Sequence, residues 1–345
     1  MQAELTRLSG LVQARIMGSA FLRQVSPKSL AEACASYPAR GGKSLRAAML
    51  VWSCRMCGGP EEPALQAAAA VELFHAWTLV HDDIIDRDPM RRGGPAVHAA
   101  AQEQARAAGQ DPAQAAHYGT SLAILAGDMQ HGWAVSMLAA LPRHRHGPAL
   151  VRRLEGKTLR EVIGGEMLDV DLAARPLDAV SEEDVRRVIA RKTGALFAFA
   201  AWAGGMVAGA SSRYRAALSR YGLEAGIGFQ VQDDILGLVG RPEAMGKPVG
   251  SDLREAKRTL PLVVAWNRAG AAERRTIEAA LRPAAGQTEI RQATAAILHL
   301  GGVAAAEAWA ETCSHRARAA LADMPPVRER EYLLALAQKM IARDR

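Results

Sequence analysis

Three observations predict an all-α protein. Alanine is abundant along the whole chain, β-branched and aromatic residues are sparse, and no regular series of short strand patterns bounded by turn residues is present. Clusters of glycine and proline divide the sequence into helical segments, and none of them has the length or composition of a flexible linker. A chain of 345 residues with 49% hydrophobic residues can bury a large core. We therefore predict a single helical domain over residues 1–345.

One segment departs from the regular helical pattern. Residues 99–117 are rich in alanine and glutamine and are broken by Gly-Gln-Asp-Pro at 109–112. The pattern predicts an insertion that carries a short helix.

Charge and cysteine content exclude several classes of protein. The net charge of +7 comes from arginines scattered along helical patterns, so nucleic-acid binding is not needed to explain it. Cys54 and Cys57 form a lone C-x-x-C without partners at zinc spacing, which favours reduced thiols over a metal site. Residues 1–18 lack the apolar core of a signal peptide, and the uncharged run at 194–210 is shorter than the roughly 20 residues of a transmembrane helix. We expect a cytoplasmic protein without a transmembrane segment.

Carboxylates end two apolar helical segments in the same way. The first segment leads into His-Asp-Asp-Ile-Ile-Asp at 81–86 and the second into Gln-Asp-Asp-Ile-Leu-Gly at 232–237. On a helix, Asp82, Asp83 and Asp86 can project into one volume. Carboxylates at the end of a buried helix are costly unless cations neutralise them, and ligation by oxygen alone is the preference of Mg²⁺. We therefore predict Mg²⁺ at two helices that face one another across a bundle.

Basic residues flank glycines near both carboxylate pairs. Arg91 and Arg92 precede two glycines, where two guanidiniums can grip phosphate oxygens in a bidentate manner. Lys247 and Lys257 follow the second pair, and Gly-Gly-Lys-Ser-Leu-Arg at 41–46 opens a helix, which favours anions. The last motif is not a P-loop, because position 37 is tyrosine and no strand precedes it.

Taken together, these motifs resemble the trans-isoprenyl diphosphate synthases, also called polyprenyl synthetases. The resemblance runs from about Tyr37 to the C-terminus through GGKSLR (41–46), ELFHAWTLVHDDIIDRDPMRRGGPAVH (72–98), LAGD (125–128), GGEMLD (164–169), RKTGALF (191–197) and GFQVQDDILGLVGRPEAMGKPVGSDLREAKRTLP (228–261). It implies an antiparallel helical bundle around a deep central cavity, the isoprenoid synthase fold, usually in a homodimer.

The resemblance also implies a role for each matching residue. The diphosphate of isopentenyl diphosphate would be held by Lys43, Arg46, His75 and Arg92. The allylic diphosphate would be held by Arg91, Lys192, Thr193, Gln230, Lys247 and Lys257. Mg²⁺ would be ligated by Asp82, Asp83, Asp86, Asp233 and Asp234, and the catalytic set would be Asp82, Asp83, Asp86, Lys192, Asp233 and Lys247.

The implied substrates are isopentenyl diphosphate and an allylic diphosphate such as the dimethylallyl, geranyl or farnesyl compound. Mg²⁺ and basic side chains would stabilise the charge that grows on the departing diphosphate, and apolar walls would keep water from the allylic cation. The expected activity is a Mg²⁺-dependent prenyl transfer.

Three features depart from the family pattern. Gly237 stands where the second motif usually has its third aspartate, and Glu166 occupies a position often filled by glutamine. The insertion at 99–117 lengthens a loop that is short in many relatives. We expect activity to survive all three departures.

Product length is predicted from the residues before the first aspartate. Trp77 is a candidate floor for the growing chain, and Phe74, one turn deeper, is the next. A helical turn rises about 5.4 Å, close to one extended isoprene unit, so the floor moves in steps that match the product series. An aromatic residue here resembles the short-chain type and predicts a C20 product, with C15 next. The alternative floor is the helix that contains Phe199 and Trp202.

Two other functions remain open. A class I terpene cyclase also ionises an allylic diphosphate, but it needs no second diphosphate site and usually carries N-D-x-x-S-x-x-x-E, which is absent here. A non-catalytic subunit of a heteromeric synthase would be expected to lose metal ligands, whereas five of the six usual aspartates are present.

Overall fold

The computed structural model describes residues 1–142, 146–240 and 250–342 and is helical almost throughout, which confirms the all-α prediction. The chain divides into two compact units: unit 1 contains Met1–Arg152 and Ala203–Ser211, and unit 2 contains Arg153–Trp202 and Ser212–Arg345. The prediction of a single domain stays a prediction. In chain order up to the end of the first unit's long segment, the elements are α1 (Gln2–Met17), α2 (Ala20–Gln24), α3 (Lys28–Ala39), α4 (Leu45–Met56), α5 (Glu61–Ile85), β1 (Met90–Arg91), β2 (Gly94–Pro95), α6 (Val97–Ala107), α7 (Pro112–Ala139) and α8 (Gly147–Arg153).

The remaining elements are almost all in unit 2. In chain order they are a π-helical turn (Leu154–Thr158), α9 (Leu159–Ala174), a 3₁₀ turn (Leu177–Ala179), α10 (Glu182–Ile189), a second π-helical turn (Ala190–Gly194), α11 (Ala195–Val207), α12 (Ser212–Val239), α13 (Ser251–Arg254), α14 (Leu260–Arg268), α15 (Ala271–Ala280), α16 (Gln287–His299), α17 (Gly302–Ala320) and α18 (Arg328–Ile341). The first part of α11 belongs to unit 2 and its last residues belong to unit 1.

Helix α5 carries the first carboxylate motif, and its sequence explains both its length and its burial. Pro60 precedes the first turn, where Glu61 and Glu62 complement the positive end of the helix dipole. The middle of the helix is alanine-rich and apolar on most sides, so nearly every residue from Ala64 to Phe74 is buried. The helix therefore reaches its carboxylates from inside the core of unit 1.

The segment 99–117 is helical rather than irregular. It covers most of α6 and the first residues of α7, separated by a short turn. Asp111 caps α7 by accepting hydrogen bonds from the backbone N–H groups of Ala113 (3.0 Å) and Gln114 (3.1 Å), and Pro112 occupies the first helical position. The Gly-Gln-Asp-Pro break is therefore the junction between two helices.

One part of the unit 1 core brings α3 beside α5 and α7. Cys34 and Tyr37 of α3 pack in one cluster with Val80 of α5 and Ala126 of α7, and all four are buried. The small side chains of α7 let these helices approach closely. This packing positions Tyr37 beside the end of α5.

The core of unit 2 centres on α12, which carries the second carboxylate motif. Val231 and Ile235 on α12 pack in one cluster with Val263 of α14 and Val303 of α17, and all are fully or almost fully buried. Because α12 is held from several sides, the positions of its carboxylates are set by the core.

In the described residues, no single helix is both long enough and apolar enough to cross a bilayer. Gln287–His299 and Gly302–Ala320 meet the length and composition criteria only as a pair, bent by 60° between them.

Candidate active site

The first carboxylate cluster, Asp82, Asp83 and Asp86, lies at the C-terminal end of α5. Asp82 and Asp86 are partly buried and stand one helical turn apart, on the same face. Asp83 is turned to another side of the helix and is completely buried. The three carboxylates therefore do not share one environment.

Asp83 is held by two hydrogen-bond donors on opposite oxygens. The hydroxyl of Tyr37 donates to Oδ2, and the guanidinium of Arg91 donates to Oδ1 through Nη2 and, at 2.7 Å, through Nε. Burial raises the pKa of Asp83, and the bonds from Arg91 and Tyr37 oppose that shift. Both oxygens of Asp83 are engaged by protein groups, and its predicted role as a metal ligand is not tested by these contacts.

Arg91 and Arg92 lie in a two-strand hairpin, with Arg91 opposite Gly94. The turn consists of Arg92 (φ 51°) and Gly93 (φ 71°), so both central residues are in the left-handed region, as in a type I′ turn. A positive φ is ordinary for glycine but unfavourable for arginine, and such outliers cluster at functional sites. The turn sends the two guanidiniums to different partners: Arg92 Nη1 donates to the carbonyl oxygen of Tyr37 at 2.9 Å.

The basic groups predicted to bind isopentenyl diphosphate surround the start of α4 and the middle of α5. Burial, together with the positive charges of Arg46, Arg92 and Arg91, holds the pKa of His75 well below its usual value. His75 is therefore a neutral imidazole, which can donate one hydrogen bond to a phosphate. Lys43 is exposed at the start of this region.

Glu72 lies near Arg46 and Arg92 in this basic region. Glu72 Oε1 accepts a hydrogen bond from the backbone N–H of Ala47 at 3.3 Å, and burial raises the pKa of Glu72 although the charges of Arg46 and Arg92 oppose that shift. Glu72 and Arg92 also line a small pocket of unit 1 with Gly41, Gly42 and Ser44. The Gly-Gly-Lys-Ser motif thus adjoins a partly buried carboxylate and a guanidinium.

The second carboxylate cluster, Asp233 and Asp234, lies on α12 in unit 2. Thr193 Oγ1 donates to Gln230 Oε1 at 2.8 Å, and Gln230 Nε2 donates to Asp234 Oδ1 at 2.9 Å. Burial raises the pKa of Asp234 well above its usual value, and the neighbouring charges of Asp252, Asp233 and Asp169 raise it further. Two residues predicted to bind the allylic diphosphate, Thr193 and Gln230, are therefore joined to a metal-ligand candidate.

Lys192 lies in the π-helical turn between α10 and α11, a form that is frequent at functional sites. Its ammonium group contacts Glu166 Oε2 at 2.9 Å and Asp169 Oδ2 at 2.7 Å. A side chain at Gly165 would place its Cβ 2.3 Å from the backbone nitrogen of Lys192, so only glycine lets α9 approach this turn. The Gly-Gly of GGEMLD therefore sets the distance between Lys192 and both carboxylates.

The carboxylate of Asp252 occupies the space that a side chain at Gly237 would need. An added Cβ at Gly237 would lie 2.4 Å from Oδ2 of Asp252, at the start of α13. Lys257, predicted to bind the allylic diphosphate, contacts Glu255 at 3.0 Å. Lys247 lies outside the described residues.

The two residues predicted to limit product length belong to an aromatic cluster of unit 1. The rings of Phe74 and Trp77 are 4.8 Å apart in an edge-to-face arrangement, and Trp77 lies 5.0 Å from the ring of His131 on α7. Phe74 is completely buried and Trp77 is 8% exposed. In unit 2, the alternative floor residue Trp202 lies under the guanidinium of Arg153 at 4.2 Å. The assignment of the floor stays a prediction.

Among the described residues, no three His, Cys, Asp or Glu side chains converge on a ready-made metal site. The chemistry of the donors nevertheless suits Mg²⁺, because Asp234 is a partly buried carboxylate whose charged form is disfavoured by burial and by the charges of Asp252, Asp233 and Asp169, and a bound cation would favour that charged form. Mg²⁺ sites commonly use one or two carboxylates and leave the other positions to water and substrate phosphate.

Four contacting residues were not among those predicted from the sequence: Tyr37, Glu72, Asp169 and Asp252. Three of them lie inside quoted motifs, so motif membership could have singled out Glu72, Asp169 and Asp252. Tyr37 has no local signal, because a buried tyrosine is ordinary until its partner is known.

Comparison with known proteins identifies the family. The polyprenyl synthetase model matches residues 27–297. The chain is 36% identical over 304 residues to a geranylgeranyl diphosphate synthase of Mycobacterium tuberculosis, covering 88% of this chain and 80% of that protein. It is 34% identical over 316 residues to a geranylfarnesyl diphosphate synthase of Aeropyrum pernix, covering 88% and 90%. A geranylgeranyl pyrophosphate synthase from Corynebacterium glutamicum, solved with isoprenyl diphosphate and magnesium, superposes with a TM-score of 0.86 at 31% identity, covering 99% and 98%. The fold is the all-α isoprenoid synthase fold, and the chain belongs to the polyprenyl synthetase family.

Proposed function

We propose that this protein condenses isopentenyl diphosphate with an allylic diphosphate and releases geranylgeranyl diphosphate, the C20 compound. At the coarser level, the chain is a short-chain prenyl diphosphate synthase. The observation that carries the proposed diphosphate chemistry is the pairing of carboxylates with cations inside each unit: Asp83 with Arg91, and Glu166 and Asp169 with Lys192.

Unit 1 supplies the groups proposed to bind isopentenyl diphosphate. Lys43, Arg46 and Arg92 carry the positive charge, and the neutral imidazole of His75 donates without adding another charge to a crowded basic region. Arg91 is proposed to bind the allylic diphosphate, since a guanidinium fork matches phosphate geometry.

Unit 2 supplies the remaining groups proposed to bind the allylic diphosphate. Thr193 and Gln230 are oriented by their mutual hydrogen bond, and Lys192 is a cation whose position is set by two carboxylates. Lys257 and Lys247 complete the proposed set. These groups stabilise the negative charge that grows on the diphosphate as the allylic C–O bond breaks.

We propose Mg²⁺ as the cofactor, with Asp82, Asp86, Asp233 and Asp234 as its ligands. Bound Mg²⁺ supplies Lewis-acid stabilisation of the departing diphosphate. We assign Asp83 instead to holding Arg91, because its buried oxygens accept from Arg91 and Tyr37. The magnesium in the Corynebacterium relative's structure supports the choice of metal.

Activity of the purified chain tests this function against the two alternatives. Incubation with farnesyl diphosphate, with and without isopentenyl diphosphate, should give C20 product only when both substrates are present. Cyclised hydrocarbon from farnesyl diphosphate alone would identify a class I cyclase, and complete inactivity with both substrates and Mg²⁺ would identify a non-catalytic subunit.

The proposed product length rests on Trp77. Relatives of this chain are named for C20 and C25 products, so family membership leaves the length open. Trp77→Ala opens the aromatic cluster toward Phe74, and we expect products one or two isoprene units longer, measured by mass spectrometry. Phe21→Ala is a matched control, because Phe21 stacks on Trp133 elsewhere in unit 1, at 5.4 Å. An unchanged product distribution in Trp77→Ala would move the floor to the helix with Phe199 and Trp202, and wild-type products of C30 or longer would refute the short-chain assignment.

We further propose that the protein is a cytoplasmic homodimer. On α7 of unit 1, three large apolar side chains are exposed: Tyr118 (39%), Ile124 (44%) and Leu125 (56%). Exposed apolar surface of this kind is a candidate subunit interface. Light scattering after chromatography should show a dimer, and Leu125→Lys should weaken it while Leu11→Lys, a charge at another exposed leucine, should not.

A further inference from the structure

Tyr37 is a completely buried residue near the end of α3 that the proposed reaction has not yet used. Its hydroxyl group donates to Asp83 Oδ2 and accepts from the backbone N–H of Val97, at the start of α6, at 3.3 Å. The hydroxyl therefore has both a donor and an acceptor partner, and it joins the ends of three helices.

The partner of Tyr37 is the carboxylate that holds Arg91. Asp83 Oδ1 accepts from Nε and Nη2 of Arg91, while Nη2 also donates to Asp88 Oδ2 at 3.2 Å. Tyr37 occupies the second oxygen of Asp83, so rotation of that carboxylate would break the bond to the hydroxyl. The hydrogen bond from Tyr37 thus fixes the plane of the carboxylate that Arg91 grips.

Tyr37 also contacts the second arginine of the hairpin, but through its backbone. The carbonyl oxygen of Tyr37 accepts from Arg92 Nη1 at 2.9 Å. One residue is therefore connected to both arginines, by its side chain to Arg91 and by its main chain to Arg92. A substitution that removes the hydroxyl group leaves the second connection in place.

A buried tyrosine needs a hydrogen-bond partner in any protein, and the same chain offers an example. Tyr221 in unit 2 is equally buried and donates to the backbone carbonyl of Leu333 at 2.7 Å. That bond satisfies the hydroxyl and touches no residue of the proposed site. Tyr37 differs because its acceptor is an ionisable side chain that pairs with a proposed substrate-binding arginine.

We propose that Tyr37 is a positioning residue for the allylic diphosphate: its hydroxyl holds Asp83, and Asp83 holds Arg91 in the orientation that receives the substrate. The inference rests on the proposed role of Arg91. The proposal predicts an effect on one substrate only. The side chain of Tyr37 acts through Arg91, which is proposed to bind the allylic diphosphate. Arg92, which is proposed to bind isopentenyl diphosphate, contacts the backbone carbonyl of Tyr37, and substitution of the side chain leaves that carbonyl unchanged.

Tyr37→Phe tests the proposal by a split between the two Michaelis constants. We expect the KM for the allylic diphosphate to rise about tenfold, a typical consequence of losing one hydrogen bond to a charged group, while the KM for isopentenyl diphosphate changes less than about twofold. Tyr221→Phe is the matched control: it removes one buried hydroxyl and should leave both constants unchanged. Calorimetric binding of an allylic thiolodiphosphate, which ionises poorly, should show the same tenfold loss in Tyr37→Phe without turnover.

Two further variants separate failure of this proposal from failure of the proposed site. Arg91→Lys should raise the KM for the allylic diphosphate; if it does not, the binding role of Arg91 is wrong and the proposal for Tyr37 is overturned with it. If Arg91→Lys raises that constant but Tyr37→Phe does not, or raises both constants equally, only the proposal for Tyr37 is overturned. In an Asp83→Asn background, Tyr37→Phe should add less than about twofold, because the two residues act through one connection. A full additional tenfold loss there would also overturn it.

Discussion

The two carboxylate clusters share a sequence motif, but their buried carboxylates have different hydrogen-bond partners. In unit 1, Asp83 is matched by a built-in cation, Arg91, and by the hydroxyl of Tyr37. In unit 2, the neutral amide of Gln230 donates to Asp234, and the charges of Asp252, Asp233 and Asp169 raise the pKa of that carboxyl group beyond the effect of burial. Asp83 in the first cluster is thus paired directly with a cation, whereas Asp234 in the second accepts from a neutral amide and lies near carboxylates that raise its pKa.

This difference teaches that an Asp-Asp pair at the end of a buried helix has no single meaning. A buried carboxylate that pairs with a guanidinium becomes part of the folded framework, and its loss leaves an uncompensated cation. A carboxylate surrounded by others is destabilised until a cation arrives from solution. We therefore expect the same substitution to affect folding in one cluster and cation binding in the other.

The largest expected effect comes from removing a proposed metal ligand from either cluster. Asp82→Ala or Asp233→Ala should each lower turnover on the order of thousands-fold, several kcal/mol of transition-state stabilisation, and excess EDTA should abolish wild-type turnover. Steady-state assays of diphosphate release measure this. Asp323→Ala, which removes an exposed partner of Arg213, is the control. Near-normal turnover in either variant or in EDTA would contradict a metal role for both clusters.

The next prediction compares how one substitution in each cluster changes the free energy of unfolding. Asp83→Asn should lower the free energy of unfolding by about 1.5–3 kcal/mol, because the new amide cannot accept from both Arg91 and Tyr37 and leaves the partly buried guanidinium to the more distant carboxylates of Asp82 and Asp88. Asp234→Asn keeps an oxygen that can accept from Gln230 and removes repulsion, so without metal its unfolding free energy should be equal to the wild type's or higher.

Urea unfolding in EDTA, followed by circular dichroism, measures both variants under the same conditions. Equal destabilisation by the two substitutions would show that the contrast between the clusters is wrong. Adding Mg²⁺ with inorganic diphosphate should stabilise the wild type more than Asp234→Asn.

A smaller effect is expected on the pH dependence of stability, and it comes from His75, which lies near the basic groups of unit 1. Its pKa is held well below that of the unfolded chain, so the unfolded state takes up a proton as the pH falls below about 6.5 while the folded state does not. This contribution to stability is therefore complete above pH 6.5 and falls by up to about 1.4 kcal/mol per pH unit below it.

His75→Gln should flatten the dependence of unfolding free energy on pH between about 6.5 and 5. His315→Gln, at an exposed position of unit 2, controls for the loss of a histidine. A His75→Gln curve parallel to the wild type's would mean that the imidazole is charged in the folded protein.

The smallest effect concerns the carboxylate that the second cluster lacks. Gly237→Asp places a side chain where Asp252 already stands, so Asp252 must turn away and another negative charge joins Asp234. We expect kcat/KM to change by less than about tenfold, or roughly 1.4 kcal/mol. Gly237→Ala introduces the same Cβ without the charge and separates crowding from electrostatics. A large gain in rate or in Mg²⁺ affinity would show that the natural cluster is impaired.

Much of the fold followed from local sequence patterns, and the same patterns supplied the candidate site residues. The apolar, alanine-rich run before Asp82 predicted a buried helix, and the turn chemistry at Asp111 and Pro112 predicted a break between helices. Such features depend on neighbours a few residues away, so a single sequence contains them. The π-helical turn at Lys192 was not predicted, and its close contact with Gly165 of α9 joins residues far apart in the sequence.

The sequence by itself determined which chemical groups this protein has, namely two carboxylate pairs and the arginines beside the first, and it determined membership of the polyprenyl synthetase family. Only the tertiary structure decided how each group is used. Tyr37 and Asp83 are 46 positions apart, and Lys192 and Asp169 are 23 apart, so nothing local records that they meet. Side-chain pairing depends on the packing of separate helices, and burial then makes each pairing strong enough to set charge and orientation.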